Sequence, residues 1–262
     1  MAFSPDGTRL LSSSSIETKL WDAGTGQLIR TFKDEAPLTF SPDGTRVLSG
    51  SPEKKLKLRD GKSGQPVRTF NGHDDYVSAV TFSPDGSRVL SVGSNSVKLW
   101  DPRTGELIRA IEAHVAGFAV KFSSDGTRLH SGGQQTLKLW DAATDQLIRI
   151  FEEHPGTSSA HSVAISPDGT LVLSGTKLRD AASGQLIRAF EGEAGRVDSV
   201  AVASDNARLL SGGEDKTVKL WNAVTGQLIR IITGHEEAVR SVAFSPDDTR
   251  LLSGSADSTF KL

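Results

Sequence analysis

The chain has 262 residues, a formal net charge of −2 and no cysteine. That length suffices for one large domain with a sizeable core. The near-neutral balance leaves no electrostatic footprint for nucleic acid or an anionic membrane, and the missing thiols exclude disulfides and thiolate chemistry.

In chain order, Ser-Pro-Asp-Gly or a close relative starts at Ser4, Ser41, Ser83, Ser123, Ser166, Ala203 and Ser245, in steps of 37, 42, 40, 43, 37 and 42 residues. A period in this range marks an array of like supersecondary units. The first two repeats carry KLWD at 19–22 and KLRD at 57–60. The third repeat, 72–111, shows the physics most fully, with strand signals at 77–82, 88–91, 97–100 and 107–111 separated by turn residues. Ser83-Pro84-Asp85-Gly86 reads as a type I turn in which Pro84 presets φ and Gly86 can take a positive φ. Further turns fall near Gly93 and over 101–105. Short strands joined by such turns are antiparallel neighbours, so each repeat is a four-stranded meander. No apolar 3.6-residue period persists, and no helix longer than about two turns is expected. A lone sheet of this size cannot bury both faces, whereas sheets stacked radially can, which is the β-propeller solution. The later repeats keep the plan, with KLWD at 138–141, KLRD at 177–180 and KLWN at 219–222. The expectation is an all-β chain and a single domain over 1–262, with blades near 1–32, 33–70, 71–111, 112–151, 152–190, 191–232 and 233–262, the first and last incomplete.

Gly-His at Gly72-His73 and Gly234-His235, FSPDG and KLWD recur together in register, and in this the chain resembles the WD-repeat family over essentially its whole length. TolB-like repeats share FSPDG but lack the other two motifs. Quinoprotein propellers share the Asp-x-x-Thr-Gly turn but place a Trp where this chain has Arg30, Arg68, Arg109, Arg188 and Arg230. The resemblance implies a seven-bladed WD-repeat β-propeller with a buried hydrogen-bond relay in each blade, running through a His, a Ser or Thr of the second strand, a turn Asp and the Trp. Carried onto this sequence, the relay residues are His73, Ser91 and Trp100; His114, Ser131 and Trp140; Ser211, Asp215 and Trp221; and His235, Ser253 and Asp257. No repeat is complete: Ser94 and Gln134 stand where Asp is expected, and Glu193 stands where His is expected. Replacing Glu193 with His is therefore expected to stabilise the sixth repeat.

No constellation suggests chemistry. The recurring His residues lie one blade apart, too far to share a metal, and His130 and His161 lack ligand spacing. One Asp per turn is too few for calcium. No phosphate-binding glycine loop precedes a helix, and the Ser, His and Asp that could suggest a triad belong to the relay. No catalytic residue, metal or cofactor is expected. The leading reading is a non-catalytic scaffold for protein partners, with neither nucleic acid nor membrane among them. The resemblance puts the near-identical turns on one face and the variable loops on the other, where Tyr76, Phe118, Arg196, Asp198, Glu236 and Arg240 are the candidate partner-binding residues. The alternative is a regulatory or sensor module of a larger signalling enzyme of kinase, protease-like or nucleotide-binding type. With no signal peptide or long apolar span, the expected location is cytoplasmic. The sequence starts just before the first turn and stops within the third strand of the seventh repeat, so an open edge at 259–262 and edge-to-edge self-association are also expected.

Overall fold

A computed structural model describes residues 1–13, 17–33, 37–51, 53–93, 95–112, 117–133, 136–152 and 162–262. Among the described residues there is no helix, and the strands fall into seven antiparallel sheets, six of four strands and one of three. The chain divides into two compact units, Met1–Phe122 and Ser123–Leu262. The third sheet is typical of the repeat: Ala79–Phe82, Val89–Val92, Ser96–Trp100 and Leu107–Glu112, hydrogen-bonded in sequence order. These strands follow the sequence expectation to within two residues at each end. The first sheet opens with the two-residue strand Ala2–Phe3, and the seventh comprises Val239–Phe244, Leu251–Ser255 and Phe260–Lys261.

The recurring tetrapeptide makes the tight turn between first and second strands. In the third sheet, Ser83 Oγ donates to Asp85 at 2.5 Å and accepts from the Arg88 N–H at 2.9 Å. Asp85 in turn accepts the Ser87 N–H at 3.0 Å, and Gly86 closes the turn at φ 69° with its N–H on the Ser83 carbonyl at 2.9 Å. The serine is fully buried, so these bonds are what make its burial affordable. The same donors hold Asp85 ionised, at about 2: the Ser83 hydroxyl first, then the Ser87 hydroxyl and N–H. A second device recurs between third and fourth strands, where the register slips immediately before the Trp or its Arg substitute, at Leu20/Trp21, Leu58/Arg59, Leu99/Trp100, Leu139/Trp140, Leu178/Arg179 and Leu220/Trp221. Such a bulge bends the strand and re-aims the side chain that follows it.

The core lies between consecutive sheets. Leu48, Leu56, Leu58 and Phe70 of the second sheet pack with Val80, Phe82, Val89 and Trp100 of the third. Phe70, 1 % exposed, meets Trp100 edge-on with ring centroids 5.8 Å apart, and its burial alone contributes roughly 1.5–3 kcal/mol. A polar joint supplements this packing. The fourth-strand arginine of one sheet reaches the Asp-x-x-Thr-Gly turn of the next: Arg68 Nη1 donates to the Thr104 carbonyl at 2.8 Å and Arg188 Nη2 to that of Val224 at 2.7 Å. The arginine stem lies over the turn glycine, so a Cβ on Gly226, whose φ is 78°, would fall 2.5 Å from Arg188 Cδ. Glycine is needed there both for the backbone and for the space.

One core residue breaks the pattern. His130, in the strand Arg128–Gly133, is 1 % exposed and stands where the other repeats have Leu. Neither ring nitrogen has a hydrogen-bond partner among the described residues. Burial, followed by the nearby Arg128 charge, pushes its pKa down from 6.5 to about 4. Between those values the unfolded chain holds a proton that the folded chain does not, so stability falls as pH drops through the window. His130→Leu is expected to raise stability by about 1–3 kcal/mol and to flatten this acid-side loss. Urea midpoints measured across the pH range check it; an unchanged midpoint and slope would show that the imidazole is satisfied.

Candidate interaction surface

The interior polar groups decide which polar residues remain available to a partner. All four tryptophans donate their indole N–H to a second-strand serine at 2.8 Å: Trp21 to Ser12, Trp100 to Ser91, Trp140 to Ser131 and Trp221 to Ser211. In the third sheet His73 Nε2 lies 2.6 Å from the same Ser91 Oγ. Its Nδ1 has no partner among the described residues, and burial, then the Lys98 charge, lowers its pKa to about 4. In the seventh sheet His235 is bonded on both sides, Nδ1 to Asp257 at 2.9 Å and Nε2 to Ser253 at 2.9 Å. Asp257 also accepts the Thr259 hydroxyl and N–H and the Glu236 N–H, and its pKa is lowered, chiefly by the Thr259 hydroxyl. An ionised Asp257 only accepts, which places an N–H at His235 Nδ1. His114, Ser94, Gln134, His161 and the Phe118 side chain lie outside the described residues.

The sixth sheet differs from the sequence expectation. Glu193 does not leave a gap in the relay: it accepts the Ser211 hydroxyl with one carboxylate oxygen and pairs with Lys219 Nζ at 2.7 Å through the other. Lys219 also pairs with Asp215, and the lysine side chain is only 5 % exposed. Burial works against the ammonium, yet the bonds to Asp215 and Glu193 outweigh it and raise its pKa. The lysine of KLW, read in the sequence only as part of the repeat, thus joins the buried polar group of the sixth sheet. The joint presence of Glu193, Asp215 and Lys219 was the available signal. Glu193→His therefore does not complete the relay; it removes one of two carboxylates from a buried ammonium.

Of the surface candidates, three come together. Asp198, in the strand Val197–Val202, has a side chain 7 % exposed and takes Arg196 Nε on one oxygen and Arg240 Nη1 on the other, each at 2.7 Å. Arg196 also lies 3.6 Å from Glu214, a residue that sequence reasoning did not single out. The Arg240 side chain remains 50 % exposed and that of Arg196 35 %. A single buried carboxylate thus orients two guanidinium groups, each with donors to spare. Glu236 is exposed, and its N–H caps Asp257 at 3.0 Å. Tyr76 is 47 % exposed in the other compact unit, its N–H bonded to Asp75 at 2.7 Å. No group of three or more His, Cys, Asp or Glu among the described residues has the geometry of a metal site, and no described helix is long and apolar enough to cross a membrane.

A comparison with protein families matches the WD domain, G-beta repeat, at 64–101, 105–141, 145–180, 184–222 and 226–262. The chain belongs to the WD-repeat family. Its sheets are the antiparallel blades of the seven-bladed WD-repeat β-propeller. Propellers of this family are typically non-catalytic scaffolds that bind proteins. No curated protein matches the chain.

Two expectations follow from the WD-repeat interior. Ser91→Ala removes the acceptor of Trp100 and the partner of His73, and should cost about 1–3 kcal/mol. Ser174 occupies the same place in the fifth sheet, where Arg179 replaces the Trp and the serine hydroxyl has no partner among the described residues; Ser174→Ala should stay within about 0.5 kcal/mol. Equal urea midpoints for the two variants would contradict the relay. Glu193→His should lower stability by about 1–3 kcal/mol, read as a fall in melting temperature; a rise would restore the simple relay for the sixth sheet.

Proposed function

We propose that this chain is a non-catalytic protein-interaction scaffold and that it engages a protein partner through Arg196, Asp198 and Arg240. The observation that carries this reading is the clamp itself: a nearly buried Asp198 fixes two partly exposed arginines that the repeat does not use elsewhere. Arginine held in place before binding loses little freedom on contact and is among the residues that dominate interface energetics. Interaction rather than chemistry is the fitting role, since the Ser, His and Asp side chains of the relay are tied to structural partners.

The test is quantitative co-purification with the tagged full chain, comparing wild type with Arg240→Ala. Asp198 keeps Arg196 in this variant, so the melting temperature should be nearly unchanged. Partners specific to the wild type should fall by about tenfold or more, the loss expected for an anchor worth over about 1.4 kcal/mol. An unchanged set of partners at equal melting temperature would move the binding surface elsewhere.

A further inference from the structure

The joint between the second and third sheets departs from the joint before it. Between the first and second sheets, Arg9 closes the corner: Nη2 donates to the Gly44 carbonyl at 2.8 Å, Nη1 to that of Gly61 at 3.0 Å, and the guanidinium lies 5.3 Å above the Phe40 ring. One repeat later the corresponding residues are Arg46, Gly86, Pro102 and Phe82. Gly61 donates its N–H to the Thr45 carbonyl at 2.7 Å, and Pro102 has no N–H with which to do the same. Arg46 does not close this corner. A Cβ on Gly44 would meet Arg9 Nη2 at 3.5 Å, whereas one on Gly86 would meet only Pro42, at 3.7 Å. Arg46 is exposed, while its counterparts Arg9, Arg88, Arg128, Arg208 and Arg250 are all partly buried. A groove of about 480 Å³ takes the place of the closed corner.

Its lining suits an extended anionic chain. Pro42, Val67, Phe82 and Pro102 give it apolar walls, and Arg46, Arg68 and Arg103 give it positive charge. Arg103 is peculiar to this repeat, where the others carry Gly24, Lys62, Ala143, Ala182 and Val224, and its side chain is 86 % exposed. The two carboxylates of the lining belong to the turns and are occupied by them: Asp43 by Ser41 and Thr45, Asp85 by Ser83 and Ser87. Asp60 senses the Arg46 charge, and Arg103 lies 3.5 Å from Asp101, both at the solvent margin where such pairs are weak. Of the charged groups lining the groove, Arg46 and Arg103 have the most donor capacity to offer a ligand.

We propose that this groove is a second interaction site, which takes an acidic peptide segment in extended form. Apolar walls hold the peptide stem, and the two outward arginines receive its carboxylates in the bidentate manner that guanidinium favours. The site lies in Met1–Phe122, apart from the Arg196–Asp198–Arg240 cluster, and stands or falls independently of it.

The test uses the purified full chain and fluorescein-labelled hexaglutamate in a polarisation titration at low salt. Saturable binding is expected, with weakening as salt rises. Arg46→Glu with Arg103→Glu should weaken it by about tenfold or more. Lys62→Glu, the same turn position one repeat earlier, should change it by less than about twofold. Pro102→Gly leaves the charge unaltered but restores the residue that accepts Arg9 in the preceding joint; it should let Arg46 fold back and weaken binding several-fold. Equal binding by wild type and the double variant overturns the site, as does loss on Lys62→Glu, which would mean diffuse basic attraction. Unchanged affinity in Pro102→Gly overturns the part assigned to the open corner. Inorganic phosphate displacing the peptide at equal concentration would make this a free-anion site rather than a peptide groove. The arginine and lysine variants should melt with the wild type, because those side chains lie outside the core, whereas Pro102→Gly should melt somewhat lower, because Pro102 is buried and proline restricts the unfolded chain.

Discussion

A strand such as Val89–Val92 has four consecutive buried residues. Successive side chains point to opposite faces, so a sheet built from such strands needs a neighbour on each side. Most other features follow from this demand. The repeat period exists because each sheet is both partner and host, and the core clusters sit between sheets rather than inside them.

Double-sided burial also sets the terms for polar atoms. An indole N–H or a lysine ammonium placed between two sheets has no water to turn to, so each must find a partner within reach. Serine in the second strand answers for the tryptophans at one recurrent distance. Where the surrounding residues change, the solution changes: Asp257 completes His235, while Glu193 and Asp215 complete Lys219. A drifting repeat can therefore exchange a neutral relay for an ionic one without giving up the tryptophan–serine bond. At His130 and Ser174 drift has outrun compensation among the described residues.

Legibility in the sequence follows the same division. Strands and turns rest on contacts local in sequence, and the Ser-Pro-Asp-Gly turn displays its own logic: proline for φ, glycine for a positive φ, serine and aspartate for mutual bonds. The Trp–Ser pairing was reached through the family resemblance. Contacts with the next sheet were not legible. Arg68 and Thr104 are 36 residues apart, as are Arg188 and Val224, and nothing near either arginine announces that its stem will cross a turn glycine one repeat on. The partners of Glu193 were not foreseen because the sequence was compared with a motif one position at a time, whereas the buried ion group is decided by three positions together. Arg196, Asp198 and Arg240 were singled out one by one as loop residues; that a single carboxylate joins them depends on two first strands lying side by side, which only the structure supplies.

Where the repeat is satisfied, its residues are committed: the turn aspartates to their serines, the fourth-strand arginines to the next turn, the interior lysines to buried carboxylates or carbonyls. Residues available for recognition must therefore come from positions that the repeat does not need or has released. Arg196 and Arg240 are of the first kind, since their carboxylate partner is itself outside the repeat pattern. Arg46 is of the second, a joint residue exposed where Pro102 stands in place of the glycine that accepts Arg9 one joint earlier. In a chain built from near-copies, a departure from the copy that does not repair the core is the most economical place to look for contact with another molecule.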